Sequence, residues 1–146
     1  MDPKDFLRVA NDLAKSDEAA ELRSAVSRAY YAAFHVARKL LIDMGFEISK
    51  GPGAHGDVCK YLGNAGNPTV EHAGSNIGDL KGWRNQADYE LDLDEHENSS
   101  SVQKIVSITE QIIEDLEQCC NGSDRDQIKG AISSYIIKME GDNSLA

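Results

Sequence analysis

Apolar residues recur along most of the chain at intervals of three and four positions, the spacing that places side chains on one side of an α-helix. The longest such segment runs from Leu22 to Met44 and carries two adjacent apolar stripes. A helix with two apolar sides contacts neighbours on both, so the sequence predicts that this helix is central in a bundle. The first stripe contains Leu22, Val26, Ala29, Ala33, Val36 and Leu40, and the second contains Tyr30, Phe34, Ala37 and Leu41.

Helix start signals divide the rest of the chain into further helices. The pair Asp-Pro at residues 2–3 predicts a first helix over 3–15, because Asp caps a helix and Pro fits its first turn. The pair Asn-Pro at 67–68 repeats this signal before a helix that ends at about residue 91. Further helices are predicted over 54–62, from a capping box of Ser100 and Gln103 to about 121, and from a capping box of Asp124 and Gln127 to about 139.

The fold class follows from what the pattern contains and lacks. No segment alternates polar and apolar residues with the period of a β-strand, and no internal repeat divides the sequence. We therefore predict an all-α fold, an antiparallel up-and-down bundle of four main helices with short extra helices. The length of 146 residues suits a single domain over 1–146, with a flexible tail from about residue 141.

Charge and cysteine content narrow the possible functions. A formal net charge of −10 argues against a broad positive surface for nucleic acid, but it leaves room for a local basic site. No apolar run approaches the roughly 20 residues of a membrane span, and the charged N-terminus does not resemble a signal peptide. The three cysteines form no CxxC pair, which argues against a zinc site. We expect a cytoplasmic protein with no membrane partner, no cofactor and no bound metal.

The polar side of the 22–44 helix is positively charged, although the chain as a whole is negatively charged. Between residues 22 and 42 it has four basic residues and no acidic one. Arg28, Tyr31 and His35 share this side, so a guanidinium, a phenol and an imidazole can converge on an anion. We predict that these three residues bind a ligand. For His35 the alternatives are proton transfer near neutral pH and a purely structural role.

Arg84 interrupts an apolar stripe of the predicted 68–91 helix, where a charge is costly unless it is paired. Asp88 follows one turn later and Tyr89 lies just beyond, so we predict a site formed by these three residues. The alternative is a salt bridge between Arg84 and Asp88 at the solvent edge. The rest of the stripe is Ala73, Ile77, Leu80, Ala87 and Leu91, and Gly74, Gly78 and Gly82 recur every fourth residue, which predicts a close approach of another helix.

Other polar groups carry weaker signals. His55, Asp57 and Cys59, with His72 further on, are metal-ligand types without a recognised metal spacing, so we interpret them as structural or as the edge of a pocket. The acidic run over 92–97 lacks the pattern of a calcium loop and is interpreted as a solvated connection.

Two motifs together resemble the HEPN domain family of prokaryotes: SRAYYAAFH at 27–35 and RNQADY at 84–89, with HGDV at 55–58 between them. The resemblance spans about residues 16–116. It implies an antiparallel helical bundle, usually a homodimer, common in toxin–antitoxin and defence systems and often partnered with a minimal nucleotidyltransferase. Active members carry Arg followed, after four to six residues, by His, and they cut RNA without metal at the dimer cleft.

This sequence departs from that pattern, because Tyr89 stands where the motif has histidine and Leu91 stands where the nuclease group has a tyrosine that the partner enzyme modifies. The resemblance therefore implies Arg84, Tyr89 and Asp88 as the catalytic candidates. Metal-free cleavage needs a base for the 2′-hydroxyl proton, and the ordinary tyrosine pKa of about 10 suits that task poorly.

Two functions stay open at this stage. The first is a HEPN-like RNase-type toxin or defence effector with an RNA- or nucleotide-binding cleft, acting as a metal-independent endoribonuclease. The second is a non-catalytic nucleotide- or protein-binding module partnered with a nucleotidyltransferase. For either function we expect a homodimer, because the apolar faces of three predicted helices exceed what so small a bundle needs.

Overall fold

The computed structural model describes the backbone of residues 1–145 and the side chains of residues 1–142. Within this part of the chain the fold is all-α with no β-strand, which confirms the predicted class. A short 3₁₀ turn, Glu95–Glu97, precedes the fifth helix. The α-helices are α1 (Lys4–Leu13), α2 (Ala19–Asp43), α3 (Ala54–Gly63), α4 (Pro68–Tyr89), α5 (Ser99–Cys120) and α6 (Arg125–Leu145).

Helix α2 is central, and it packs against α1, α4 and α5. Every residue of its two predicted apolar stripes is buried, which confirms the prediction for this helix. Fully buried alanines, among them Ala25, Ala29 and Ala33, leave room for neighbours on more than one side. The helix is followed by Gly45, whose φ of +98° belongs to the region that glycine adopts at helix ends.

The start of α4 is capped as the sequence predicts, and Asp2 bonds to the start of α1 although Pro3 occupies the cap position there. Asp2 Oδ1 accepts a hydrogen bond of 2.9 Å from the backbone N–H of Lys4. Asn67 Oδ1 accepts bonds from the backbone N–H groups of Thr69 (3.0 Å) and Val70 (3.1 Å). These side chains satisfy donors that have no partner within the helix, so both helix starts are fixed locally.

The start of α5 corrects a prediction. Its cap is Asn98, whose side chain accepts a 3.0 Å bond from the backbone N–H of Ser101, so the predicted capping box at Ser100 is wrong by two residues. Asn and Ser cap helices about equally well, so the pattern alone did not decide between them. At the other end of the chain, helical backbone continues past the predicted start of the tail at 141 and reaches Leu145.

The apolar stripe of α4 is confirmed over most of its length, since Ala73, Ile77, Leu80 and Ala87 are buried. Leu91 is 72% exposed, because α4 ends two residues before it, and its assignment to the stripe is wrong.

The glycine repeat of α4 allows a close approach at one of its three positions. A Cβ on Gly74 would lie 2.8 Å from the Cβ of Leu62 in α3, whereas Gly78 and Gly82 have no such neighbour within 4 Å among the described residues. The described helices also include no segment that is both long and apolar enough to cross a membrane.

Candidate functional site

A cleft of about 490 Å³ lies between α2, the loop that follows it, the start of α3 and the middle of α4. We call it the basic cleft, because four cationic side chains line it and none of the described residues that line it is a carboxylate. These cations face one opening in a chain of net charge −10. The cations are Arg38, Lys50, Lys81 and Arg84, and His35 and His55 line the same cleft.

Arg84 is held in place by polar and aromatic neighbours. Its Nε lies 2.8 Å from Asp88 Oδ2, and its Nη1 donates a 3.1 Å hydrogen bond to Asn85 Oδ1. The centre of the guanidinium lies 5.4 Å from the ring of Tyr31 and 5.5 Å from the ring of Tyr89. Burial opposes the charged form, but Tyr31, Asp88 and Tyr89 outweigh it and raise the pKa of Arg84. The guanidinium therefore stays protonated, and Asp88 balances part of its charge.

Asp88 and Tyr89 are brought together with Arg84, as the sequence predicts, but they have different surroundings. The Asp88 carboxylate also accepts a 3.3 Å hydrogen bond from Ser27 Oγ, which ties α4 to α2. Its ion pair with Arg84 is partly buried, with the two side chains 20% and 27% exposed. Tyr89 is the last residue of α4 and is 71% exposed. Asp88 thus orients the guanidinium, while Tyr89 covers it from the solvent side.

A row of rings continues from Arg84 towards α1. The ring of His35 stacks on those of Tyr31 and Phe6, at centroid distances of 6.1 and 5.9 Å. Arg28 lies over Phe6 and Tyr31, at 5.4 and 5.6 Å. Of the three predicted ligand-binding residues, Tyr31 and His35 line the basic cleft, whereas Arg28 is not among its described lining residues and packs on the rings beside it.

His35 has the protonation behaviour of an accessible base. Its burial and the positive charge of Arg38 both lower its pKa. The neutral imidazole is therefore favoured near neutral pH, and a neutral imidazole can accept a proton.

His55 differs from His35, because both of its ring nitrogens have partners. Its Nδ1 lies 2.9 Å from the hydroxyl of Tyr30 and its Nε2 lies 3.4 Å from Sγ of Cys59. Burial raises the pKa of Tyr30 to about 12 and also raises the pKa of the Cys59 thiol. Burial and the charge of Lys81 lower the pKa of His55. This group forms a neutral wall at the edge of the basic cleft.

The loop after α2 contributes Lys50 to the basic cleft. One carboxylate oxygen of Asp57, in the first turn of α3, accepts hydrogen bonds from the backbone N–H (2.8 Å) and the hydroxyl (2.6 Å) of Ser49. Both bonds favour the charged carboxylate and lower the pKa of Asp57. This contact fixes Ser49, the residue next to Lys50. His72, by contrast, is exposed and is not among the described residues that line the cleft.

The sequence model of the family described as HEPN domain matches residues 4–119, which include α1 to α4 and nearly all of α5. The chain belongs to the HEPN domain family. This confirms the resemblance that the two motifs indicate. No curated protein and no solved structure gives a significant match to the chain.

One buried cation of this HEPN domain was not recognised as a site residue from the sequence. Arg23 of α2 is 8% exposed, and its Nε lies 3.6 Å from Glu97 Oε1. The spacing of Arg23 to Val26 and Tyr30 was the signal available, because it places the arginine on an apolar side of α2. Its two terminal nitrogens donate to backbone carbonyls at and beyond the end of α4, those of Gln86, Ala87, Glu90, Leu91 and Leu93.

His96 is a second residue whose place the sequence did not indicate. The sequence predicts a solvated acidic loop here, but His96 is 5% exposed, and its Nε2 lies 2.9 Å from Oε1 of Gln86. Burial lowers its pKa. In the HEPN domain this histidine therefore braces the end of α4, on the same side as Arg23. Among the described residues, no group of three His, Cys, Asp or Glu side chains is placed to hold a metal ion.

Proposed function

We propose that this HEPN domain binds a phosphate-bearing ligand, a nucleotide or an RNA strand, in the basic cleft around Arg84. The observation that carries the proposal is the convergence of four cations from α2, the following loop and α4 on one cleft. A guanidinium binds phosphate through paired hydrogen bonds, and lysine adds a mobile point charge. The acidic remainder of the chain repels nucleic acid elsewhere, so binding is confined to the cleft.

Arg84 has the central role in this proposal. Asp88 and Tyr31 fix its guanidinium before any ligand arrives, which lowers the entropy cost of binding. Lys81 precedes it by nearly one turn on α4 and lines the same cleft. The ring of Tyr89, which is 71% exposed, offers a surface on which an unpaired base can stack.

Titration of a fluorescent 2′-O-methyl RNA octamer tests the proposal, because the methyl group prevents attack by the 2′-oxygen. Arg84→Gln should weaken binding by about tenfold or more, the usual effect of a lost charged hydrogen bond. Lys129→Gln changes the net charge equally at an exposed position of α6 and should leave the affinity within about twofold. Equal effects of the two substitutions would contradict the proposal.

A melting experiment gives an independent measure of the same site. Millimolar phosphate, AMP or ATP should raise the melting temperature of the wild type, because a ligand that binds only the folded state stabilises it. Arg84→Ala should abolish this rise without unfolding the protein. An unchanged melting temperature with all three compounds would count against the cleft.

A second candidate function is metal-independent RNA cleavage, and the position of His35 favours it. Its neutral imidazole lines the same cleft as Arg84, so one residue can take the 2′-hydroxyl proton while the other stabilises the charged phosphorane. The 2′-oxygen would attack the adjacent phosphorus to form a 2′,3′-cyclic phosphate, the bond from phosphorus to the 5′-oxygen would break, and the leaving 5′-oxygen would receive the proton that the imidazole has taken, directly or through water. Tyr89, at the motif position, is the alternative base.

Cleavage assays with a chelator present separate these possibilities. If Tyr89 is the base, the rate should rise from about pH 7 to about pH 9, and Tyr89→His should increase cleavage near neutral pH. If His35 is the base, His35→Ala should lose about 100-fold or more and Tyr89→Phe should have little effect. A domain that only binds should show no chelator-resistant cleavage at any pH.

We also propose a homodimer and a nucleotidyltransferase partner, as in toxin–antitoxin and defence pairs, and a cytoplasmic location. The support is family membership, together with the exposed Tyr89 and Leu91 beside the Arg84 site. The apolar faces of α2, α4 and α5 give less support than the sequence suggested, because they are largely buried within one chain. Light scattering should report the mass of two chains, and a monomer at micromolar concentration would contradict the dimer.

A further inference from the structure

A second cavity, of about 410 Å³, lies between α1 and the later part of α2. We call it the α1 cavity. Phe6 of α1 and Ile42 of α2 give it apolar walls, and His35 and Arg38 line it on the side towards the basic cleft. It shares His35 and Arg38 with the basic cleft, but Phe6, Lys39 and Ile42 belong neither to the family motifs nor to the proposed phosphate contacts.

The two cavities are neighbours, because His35 and Arg38 line both of them. On one side of these two residues lie Lys50, Lys81 and Arg84, which suit phosphate groups. On the other side lie the ring of Phe6 and the side chains of Ile42 and Lys39, and the charge of Lys39 is paired with Asp43 at 3.2 Å. Charge and apolar surface are thus arranged as they are in a nucleotide, in which a charged phosphate is joined through a sugar to a flat ring of low polarity.

Ile42 shows that the α1 cavity has uncovered apolar surface. Ile42 is 41% exposed, whereas the residues of the two apolar stripes on the same helix are buried. Phe6 is partly buried, and its ring stacks on His35 with an interplanar angle of 26°. A flat ligand next to these residues would cover Ile42 and lie beside two rings that are already ordered.

We infer that the α1 cavity receives a base of the nucleotide or single-stranded RNA whose phosphates lie in the basic cleft. The inference rests on the proposed function, and it adds that the ligand is recognised by an unpaired base as well as by its charge. A base in this cavity would contact the apolar side chains of Phe6 and Ile42, and Arg38 would lie between the base and the phosphates. Double-stranded RNA does not present a base in this way, so the ligand is single-stranded.

Two hexamers of equal charge test the inference. One is 2′-O-methyl oligoadenylate, and the other has the same number of phosphates but abasic sugars. Stacking of a base on an aromatic side chain contributes about 1–3 kcal/mol, so the wild type should bind the adenylate at least about fivefold more tightly. Phe6→Leu should remove most of this preference and leave the affinity for the abasic hexamer unchanged.

Two further variants control for folding. Phe46→Leu makes the same change at a half-buried ring that packs on Tyr61 and lines neither cavity, so it should keep the preference for bases. Ile42→Ser changes an exposed side chain and should reduce the preference without a change in the melting temperature.

The outcomes separate the inference from the function on which it rests. Equal affinities of the wild type for the two hexamers would overturn the base site and leave phosphate binding intact. Loss of the preference in Phe46→Leu as well as in Phe6→Leu would also overturn it, because the effect would then be structural. If neither hexamer bound, the proposed function itself would fail. A preference that is lost in Phe6→Leu and Ile42→Ser alone would support the inference.

Discussion

Two arginines lie near the end of α4, and their surroundings differ. Arg23 is buried, and backbone carbonyls at and beyond the helix end accept hydrogen bonds from its guanidinium. Arg84 lines a cleft, and its contacts are one carboxylate, one amide and two aromatic rings. Both residues fall on apolar sides of their helices.

The difference shows what a charge in an apolar pattern can mean. Arg23 replaces the partners that carbonyls lose where a helix ends, so its hydrogen-bonding capacity serves the fold. Arg84 is fixed by neighbours at its Nε side but remains beside an open cleft, so it can receive a ligand. The two roles are linked, because Arg23 holds the segment that positions Asp88 and Tyr89.

The largest expected effect is on the free energy of unfolding, in which variants of the two arginines should differ. Arg23→Ala should lower the free energy of unfolding by about 3–5 kcal/mol, because it leaves Glu97, the buried carbonyl of Ala87 and several partly buried carbonyls without their partner. Arg84→Ala should cost about 1–2 kcal/mol, because its ion pair is only partly buried and Asp88 keeps its hydrogen bond from Ser27. Urea unfolding of the two variants measures both values. Similar losses would show that the arginines do not differ in role.

A smaller effect is expected on the pH dependence of stability, which tests the region around Arg23. Burial lowers the pKa of His96, which Arg23, Glu95 and Gln86 surround, so the unfolded chain binds a proton more readily than the folded one. Stability should therefore fall as the pH drops below about 6.5, the ordinary histidine pKa, and the loss should stop below the folded pKa.

This expectation is checked by measuring the unfolding midpoint of His96→Gln at pH values from about 7 to about 5. The substitution should make the decline shallower, although His35 and His55, whose pKa values are also lowered by burial, should retain part of it. His72→Gln, at an exposed position, is the matched control and should keep the full decline. An unchanged slope in His96→Gln would contradict the expected role of burial.

The smallest expected effect concerns the loop that carries Lys50. Asp57→Ala removes the acceptor for both Ser49 hydrogen bonds and should weaken RNA binding by about two- to fivefold through the freed loop. Removal of a negative charge should by itself strengthen the binding of an anion. Asp126→Ala, in the first turn of α6, makes the same charge change away from the cleft and should strengthen binding by less than about twofold. Stronger binding in both variants would show that the Ser49 contact has no part in the cleft.

The periodic parts of the fold were predictable from sequence, because their signals are local. The stripes of α2 and the hydrogen bonds of Asp2 and Asn67 at helix starts depend on neighbours within a few residues. The end of α4 was not predictable in this way. Leu91 continues the spacing of the stripe, but carbonyls beyond Tyr89 bond to Arg23, more than 60 residues earlier, and not to the next turn of a helix.

The candidate site was predictable in part for the same reason. Arg84 and Asp88 are one turn apart, so their pairing is a local property of a helix. The approach of Arg84 to Tyr31, the entry of Lys50 from a loop and the burial of His96 depend on how separate elements pack. Periodicity carries no information about such distant contacts, so it left Arg28 as good a ligand candidate as Tyr31.

The most direct test of the central claim, that Arg84 contacts a phosphate in the basic cleft, is the salt dependence of RNA binding. Each phosphate neutralised on a single strand contributes about 0.7 to the slope of log affinity against log salt concentration. For the 2′-O-methyl octamer, the four cations of the cleft predict a slope of about −2 to −3 for the wild type. Arg84→Gln should make that slope shallower by about 0.7, while Lys129→Gln should leave it unchanged. A weaker affinity in Arg84→Gln with the wild-type slope would show that Arg84 does not contact a phosphate and would contradict the account.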